Sequence, residues 1–179
     1  MSKMKTLYSL CYPEFSASDR QFIEDFRNEH DIPFRDVVAP HFTMVFGCND
    51  VPLQSYRNHV EKITRSQNSI KFTCRYAMLH SDDSNDNYYV FLVPDDGYGE
   101  ISKFHDKLYK GLLAPYLRLD IPYVPHIGIA TIPDAGRVKS LCDKLNSTGI
   151  EISGQINSIT VSEYNDSKVT DLETFQCTT

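Results

Sequence analysis

Two spacings of hydrophobic residues alternate along the chain, and each predicts a different kind of element. Alternating or short apolar runs predict strands at residues 4–12, 39–47 and 124–131, because successive side chains of a strand point to opposite faces. Helical spacing predicts four helices, and their apolar stripes are Phe22, Ile23 and Phe26; Leu53, Tyr56, Val60 and Ile63; Ile101, Phe104, Leu108 and Leu112; and Val138, Leu141, Cys142 and Leu145. Ser16 and Asp134 are polar residues suited to begin the first and last of these helices.

Further strands complete the predicted domain. Residues 69–78 alternate with period two, which places Tyr76 with the apolar face, and residues 88–93 form a continuous apolar strand. The polar run 80–87 between them predicts a loop, and residues 150–175 predict two strands around a turn at 165–167. This interleaving of helices and strands predicts an α/β or α+β domain with a largely antiparallel sheet, and of these we expect a single α+β domain over residues 1–179.

Composition and charge narrow the classes of function. The net charge of −6 argues against a protein that tracks along duplex DNA, because such proteins displace counterions with many lysines and arginines. No apolar run reaches 18 residues, so we expect no membrane partner, and the N-terminus lacks the pattern of a signal peptide. We expect neither a disulfide framework nor structural zinc, and therefore a cytoplasmic protein, because the cysteines are odd in number and widely spaced: Cys11, Cys48, Cys74, Cys142 and Cys177. We also expect a monomer.

One short pattern occurs twice. The segments APHFTMVF and VPHIGIAT both read Pro-His-apolar, followed by Thr43 in the first and by Gly128 in the second. If the two segments are equivalent strands, His41 and His126 face one groove, and Thr43 shares the face of His41. Two imidazoles with pKa values near 6.5 provide a base and an acid at neutral pH. Such a pair can remove a proton from a nucleophile and donate one to the leaving oxygen of a phosphodiester, while a hydroxyl binds a phosphate oxygen.

Each of these residues also has a plainer interpretation. Two unrelated strand histidines can hold buried polar contacts, and Thr43 can be an ordinary strand residue. Gly128 fits a bulge or a packing contact as well as a close approach to a ligand. Tyr8 and Tyr123 can stack on a base or pack in the core, and Tyr123 falls on the face opposite His126 unless a bulge intervenes.

The chain resembles the 2H phosphoesterase superfamily, in particular the bacterial proteins that are 2′-5′ RNA ligase-like. The resemblance rests on both Pro-His segments and extends over TLYSLCYPEF, FIEDFRNEHD, NYYVFLV, KFHDKLYKGLL and IPYVPHIGIA in the expected order. It implies a two-lobed fold with His-x-(Thr/Ser)-x motifs on central strands. It also implies that His41 and His126 are catalytic, and that Thr43, Gly128, Tyr123 and Tyr8 occupy substrate-binding positions.

The second motif departs from the family. Gly128 stands where the family has Thr or Ser, so one phosphate-binding hydroxyl is missing. Thr131 is not expected to replace it, because an odd offset from His126 places it on the opposite face of a regular strand. The absence of this donor predicts weakened activity, with the acid–base pair retained.

Three hypotheses follow from the sequence. The first is a phosphoesterase without metal or cofactor that hydrolyses 2′,3′-cyclic phosphates or 2′-5′ linkages in RNA ends or small nucleotides. The second is a catalytically weakened 2H scaffold that binds nucleotides or RNA ends without turnover. The third is a structural partner protein that does neither.

Overall fold

The two histidine-bearing segments belong to different sheets of the molecule. A computed structural model describes residues 6–81, 85–165 and 167–179. Residues 4–5, 82–84 and 166, which were assigned to the first strand, the polar loop and the C-terminal turn, lie outside the described ranges.

Strands and helices alternate along the chain. The strands within the described ranges are β1 (Thr6–Cys11), β2 (Glu14–Phe15), β3 (Phe42–Cys48), β4 (Ile70–Ser81), β5 (Tyr88–Asp96), β6 (Ile127–Ile132), β7 (Ile152–Ile156), β8 (Ser158–Asn165) and β9 (Lys168–Gln176). The helices there are α1 (Ala17–His30), α2 (Leu53–Thr64), α3 (Tyr98–Leu108), α4 (Ala135–Ser147) and a 3-10 helix (Gly111–Tyr116). One sheet has the strand order β3-β1-β8-β9 and the other β2-β7-β4-β5-β6. Neighbouring strands pair antiparallel in both sheets, so the predicted α+β class is confirmed.

Side-chain caps begin two of the helices as predicted. The backbone N–H of Asp19 donates to Ser16 Oγ at the start of α1, and that of Arg137 donates to Asp134 Oδ1 at the start of α4. Each cap satisfies a backbone donor that has no partner within the helix. The predicted apolar side of α3 is wrong at Leu112, which is 40% exposed. Since α3 ends at Leu108 and a 3-10 helix follows, Leu113 enters the core instead.

Irregular strand pairing changes the expected side-chain face at two positions. The pairing of β4 with β5 shifts register between Cys74 and Tyr76, so Tyr76 is 51% exposed and Ala77 is buried in its stead. A similar shift between β1 and β3 leaves Phe46 39% exposed, although regular alternation along the strand predicted at residues 39–47 would put it on the same face as buried Phe42. An extra residue in one strand turns all following side chains to the other face.

The boundaries of two predicted regions also differ. The loop expected at 80–87 is wrong at its start, because His80 and Ser81 belong to β4 and pair with Tyr89 and Tyr88 of β5. The C-terminal region holds an additional strand, β7, which pairs with β4 in the larger sheet.

The helices cover the sheets and connect them to one core. α1 packs against β6 and α4 against β4, whereas α2 packs against β8 and β9 and α3 against β3. Phe42 of the smaller sheet and Phe72 of the larger one meet edge to face, with ring centroids 5.0 Å apart. Within the described ranges, no helix has the length and apolar character needed to cross a membrane.

Candidate active site

Both histidines lie directly before a strand and line the same cavity. His41 precedes β3 and His126 precedes β6, which are edge strands of their two sheets rather than central ones. The strands begin later than the sequence predicted, since the proline before each histidine has no N–H for a ladder hydrogen bond. The cavity has a volume of about 400 Å³, and both imidazoles contribute to its wall.

The two imidazole rings make matching hydrogen bonds. Nδ1 of His41 lies 2.8 Å from the carbonyl oxygen of Ala39, and Nδ1 of His126 lies 2.7 Å from that of Val124. A carbonyl oxygen only accepts, so Nδ1 carries the proton and donates it in both rings. Nε2 of each neutral ring is therefore left as a proton acceptor, and Nε2–H of each charged ring as a donor.

The environment of His126 favours its neutral form. Its ring stacks face to face on Phe91, with centroids 3.6 Å apart and an angle of 13° between the planes. Burial lowers the pKa of His126 to about 4; the hydrogen bond to Val124 opposes this shift, and the charges of His41 and His80 add to it. His126 is therefore in its neutral form at neutral pH, the form that can accept a proton at Nε2.

The pKa of His41 is also lowered, but the charged groups around it are different. Burial lowers the pKa of His41, and the positive charge of Arg27 lowers it further. The hydrogen bond to Ala39 and the negative charge of Asp171 oppose that shift. A bound phosphate anion favours the charged form of both histidines, so ligand binding and protonation are coupled at this site.

Thr43 and Tyr8 line the cavity, but Tyr123 does not. Tyr8 meets Tyr164 of the cavity wall edge to face, with centroids 6.3 Å apart. Tyr123 stacks on His105 at 3.7 Å, and its hydroxyl donates to the carbonyl oxygen of Thr43 over 3.1 Å. The position of Tyr123 therefore fits support of strand β3 from behind, not stacking on a base in the cavity.

A bulge in β6 corrects the prediction for Thr131. Gly128 pairs with Phe91 and Ala130 with Val90, so Ile129 is an extra residue in β6. Thr131 consequently lines the cavity together with Gly128, although the odd offset from His126 placed it on the other face. Its hydroxyl still does not replace the missing donor, because its single proton is donated to Asp31 over 2.8 Å.

The sequence analysis missed a charged pair in the cavity wall. Arg27 and Asp31 form a buried ion pair at 2.9 Å, four residues apart at the end of α1. The spacing was visible in the sequence, but most such pairs lie on helix surfaces, and only the packing of α1 against β6 buries this one. Much of the remaining wall is apolar or aromatic and includes Leu10, Phe34, Val37, Val38, Tyr89 and Val169.

Comparisons with known proteins agree on one fold. Similar solved structures include E. coli LigT complexed with 3′-AMP, with 15% identity, a TM-score of 0.62 and coverage of 99% of this chain and 100% of that chain. TT0787 of Thermus thermophilus matches with 13% identity, a TM-score of 0.58 and coverage of 96% and 97%. Kluyveromyces marxianus Usb1 matches with 7% identity, a TM-score of 0.54 and coverage of 93% and 97%. A search of the curated proteins found no match.

The sequence itself identifies the family. The family model described as the 2′-5′ RNA ligase superfamily matches residues 13–168, a range that includes both Pro-His segments. The resemblance drawn from those segments is thereby confirmed at the level of the family, and the chain belongs to the 2′-5′ RNA ligase superfamily.

Proposed function

We propose that the protein is a metal-independent phosphoesterase that hydrolyses 2′,3′-cyclic phosphates or 2′-5′ phosphodiester bonds in RNA ends or small nucleotides. The observation that carries this proposal is the pair of imidazoles, His41 and His126, in the wall of one cavity with Nδ1 of each ring held by a carbonyl. Both Nε2 atoms are then available for proton transfer at one phosphate.

The proposed reaction uses one ring in its neutral form and the other in its protonated form, which the bound phosphate anion favours. Neutral His126 accepts a proton at Nε2 from a water molecule as the water oxygen bonds to phosphorus. Protonated His41 donates its Nε2 proton to the ribose oxygen as the bond from that oxygen to phosphorus breaks. Atoms and charges balance, since one proton enters the pair and one leaves it. We assign His126 as the base because burial favours its neutral form, and His41 as the acid because the negative charge of Asp171 favours its charged form.

The size and surface of the cavity support a nucleotide substrate. A volume of about 400 Å³ lies at the small end of the usual range for ligand pockets. Aromatic rings such as Tyr8 and Tyr89 offer surfaces for a base or sugar. E. coli LigT has been crystallised in complexes with 3′-AMP, ATP and NADP+, which fits a nucleotide-binding fold.

A binding module is the second candidate, and Gly128 is the observation that favours it. The glycine removes a donor next to the phosphate position, which weakens stabilisation of a transition state. Such a protein would bind nucleotides or RNA ends without turnover. The monomeric state and the cytoplasmic location expected from the sequence stay predictions under either candidate.

A substrate panel in EDTA separates the candidates. The wild-type protein is incubated with nucleoside 2′,3′-cyclic phosphates and 2′-5′ dinucleotides, and products are separated by chromatography. We expect hydrolysis that is lost in His41→Ala and in His126→Ala. The matched control is His59→Ala, because His59 bonds the carbonyl oxygen of Leu108 and does not line the cavity. Binding without hydrolysis would favour the module, and hydrolysis retained in both site variants would refute the histidine mechanism.

A further inference from the structure

Arg27 is a buried cation with no role in the acid–base chemistry above. Its side chain leaves α1 and lines the same cavity as His41 and His126, although the residue is only 5% exposed. Among the described residues of the cavity wall it is the only lysine or arginine. A buried arginine keeps its charge at every physiological pH, so Arg27 gives this part of the wall a fixed cation, which lies beside the carboxylate of Asp31.

Three contacts orient the guanidinium but leave part of it unused. Nε donates to Asp31 Oδ2 over 2.9 Å, and Nη2 donates to the carbonyl oxygens of Phe34 at 3.1 Å and Val38 at 2.9 Å. For Nη1, the part of the chain that the structure describes provides no hydrogen-bond partner. Nη1 is also not among the fully enclosed side-chain atoms left without a partner, and Arg27 lines the cavity, so Nη1 is the guanidinium nitrogen left for a ligand there.

The carboxylate of Asp31 holds Arg27 in place. Its Oδ2 accepts from Arg27, and its Oδ1 accepts from the hydroxyl of Thr131 on β6. Because both oxygens already bind the protein, the carboxylate works as a fixed support that ties the end of α1 to strand β6. A planar guanidinium supported on one edge can present its other edge to an anion.

Because Gly128 has no side-chain hydroxyl, a bound phosphate needs a hydrogen-bond donor from another part of the cavity wall. An anion held between the two imidazoles needs donors to its non-bridging oxygens, and β6 supplies none from the side chains of residues 128 and 131. We propose that Arg27 is the phosphate-binding cation of this site, with Nη1 donating to a non-bridging oxygen of the phosphate that His41 and His126 act on. This assignment rests on the proposed function, and it locates the positive partner of the substrate on α1 rather than on β6.

The electrostatics agree with this placement. Arg27 and His41 line the same cavity, and the charge of Arg27 contributes to the lowered pKa of His41. Arg27 also binds the segment 34–38 that leads to His41, and this contact alone would give it a structural role. The test must therefore measure anion binding separately from folding and turnover.

The experiment measures binding of inorganic phosphate and uridine 3′-monophosphate in EDTA by calorimetry, with wild-type protein, Arg27→Gln and Arg27→Lys. Arg57→Gln is the matched control, because Arg57 forms an ion pair with Glu173 away from the cavity. We expect Arg27→Gln to raise the Kd for both probes by about 10- to 100-fold, the effect of one charge-assisted hydrogen bond. Arg27→Lys should give a smaller loss, and the control should stay within about twofold of wild type.

The possible outcomes distinguish a failure of the proposed role of Arg27 from a failure of the proposed phosphoesterase function. A folded Arg27→Gln protein that binds both probes as tightly as wild type overturns the role of Arg27, even if the wild type hydrolyses nucleotides. An inactive wild type that binds phosphate only through Arg27 refutes the proposed function and supports this inference. If Arg27→Gln does not fold, the guanidinium nitrogen resonances of wild-type Arg27 decide: they must shift on addition of phosphate. Unshifted resonances at saturation, or no phosphate binding by wild type, overturn the proposal.

Discussion

Replacing Gly128 by serine tests whether the second motif lacks only a donor. The backbone at Gly128 is outside the left-handed region, since the glycines there are Gly97, Gly111 and Gly149. A Cβ added at Gly128 would meet one described atom within 4 Å, Cε1 of Phe91 at 3.9 Å, which is an ordinary van der Waals contact. A serine side chain therefore fits without displacing backbone, and its hydroxyl would lie on the cavity face.

The size of the gain follows from the kind of bond that is added. A hydroxyl that donates to a phosphate oxygen makes a charge-assisted hydrogen bond, worth about 1.5–3 kcal/mol. If the bond forms in the transition state and the substrate complex alike, KM falls; if it strengthens in the transition state, kcat rises. Either way kcat/KM should increase by about 10- to 150-fold in Gly128→Ser. Thr131 cannot already supply this bond, because its proton is donated to Asp31.

Gly128→Ala provides the matched control for this experiment. Alanine adds the same Cβ and the same restriction of the unfolded chain, about 0.4–1 kcal/mol of stability, but no donor. The assay measures kcat/KM for nucleoside 2′,3′-cyclic phosphates in EDTA, and urea unfolding checks the fold of both variants. Equal kcat/KM in the serine and alanine variants would refute the reasoning that a missing hydroxyl limits the site.

Three further predictions concern the neighbours of the imidazoles. The pH profile of kcat/KM should peak between about 4 and 6.5. The reason is that the pKa of His126 is lowered to about 4 and the pKa of His41 is lowered from about 6.5. An optimum at pH 8 would contradict this prediction. Phe91→Leu removes the stacked ring and should lower the free energy of unfolding by about 1 kcal/mol in urea, while the pKa of His126 measured by NMR changes. Thr131→Val leaves an oxygen of buried Asp31 without its donor, so unfolding in urea should show a loss of about 1–3 kcal/mol; an unchanged midpoint would exclude this contact.

The sequence predicts features that depend on a few neighbouring residues, but it does not predict irregular pairing between strands. The caps at Ser16 and Asp134 depend on residues within one helical turn, so their effect is visible in a short segment. The bulge at Ile129 exists only in relation to the partner strand, where Ala130 and Gly128 pair with neighbouring residues of β5. Gly128 made a bulge one of several alternatives, but IGIAT does not show that an extra residue is present, and Thr131 was therefore assigned to the wrong face.

The matching hydrogen bonds of the two histidines arise within each short segment, whereas the different surroundings of the two rings arise from contacts with distant parts of the chain. In each segment a carbonyl, a proline and the histidine follow one another, so a few residues suffice to hold Nδ1 and present Nε2. This local unit explains why the sequence points to two equivalent rings and leaves base and acid unassigned. Packing breaks the equivalence: His126 lies on Phe91, while His41 is influenced by Arg27 from α1 and by Asp171 from β9. Because these neighbours come from distant parts of the chain, a difference between the two rings can be argued only from the folded structure, and the proposed roles of base and acid rest on it.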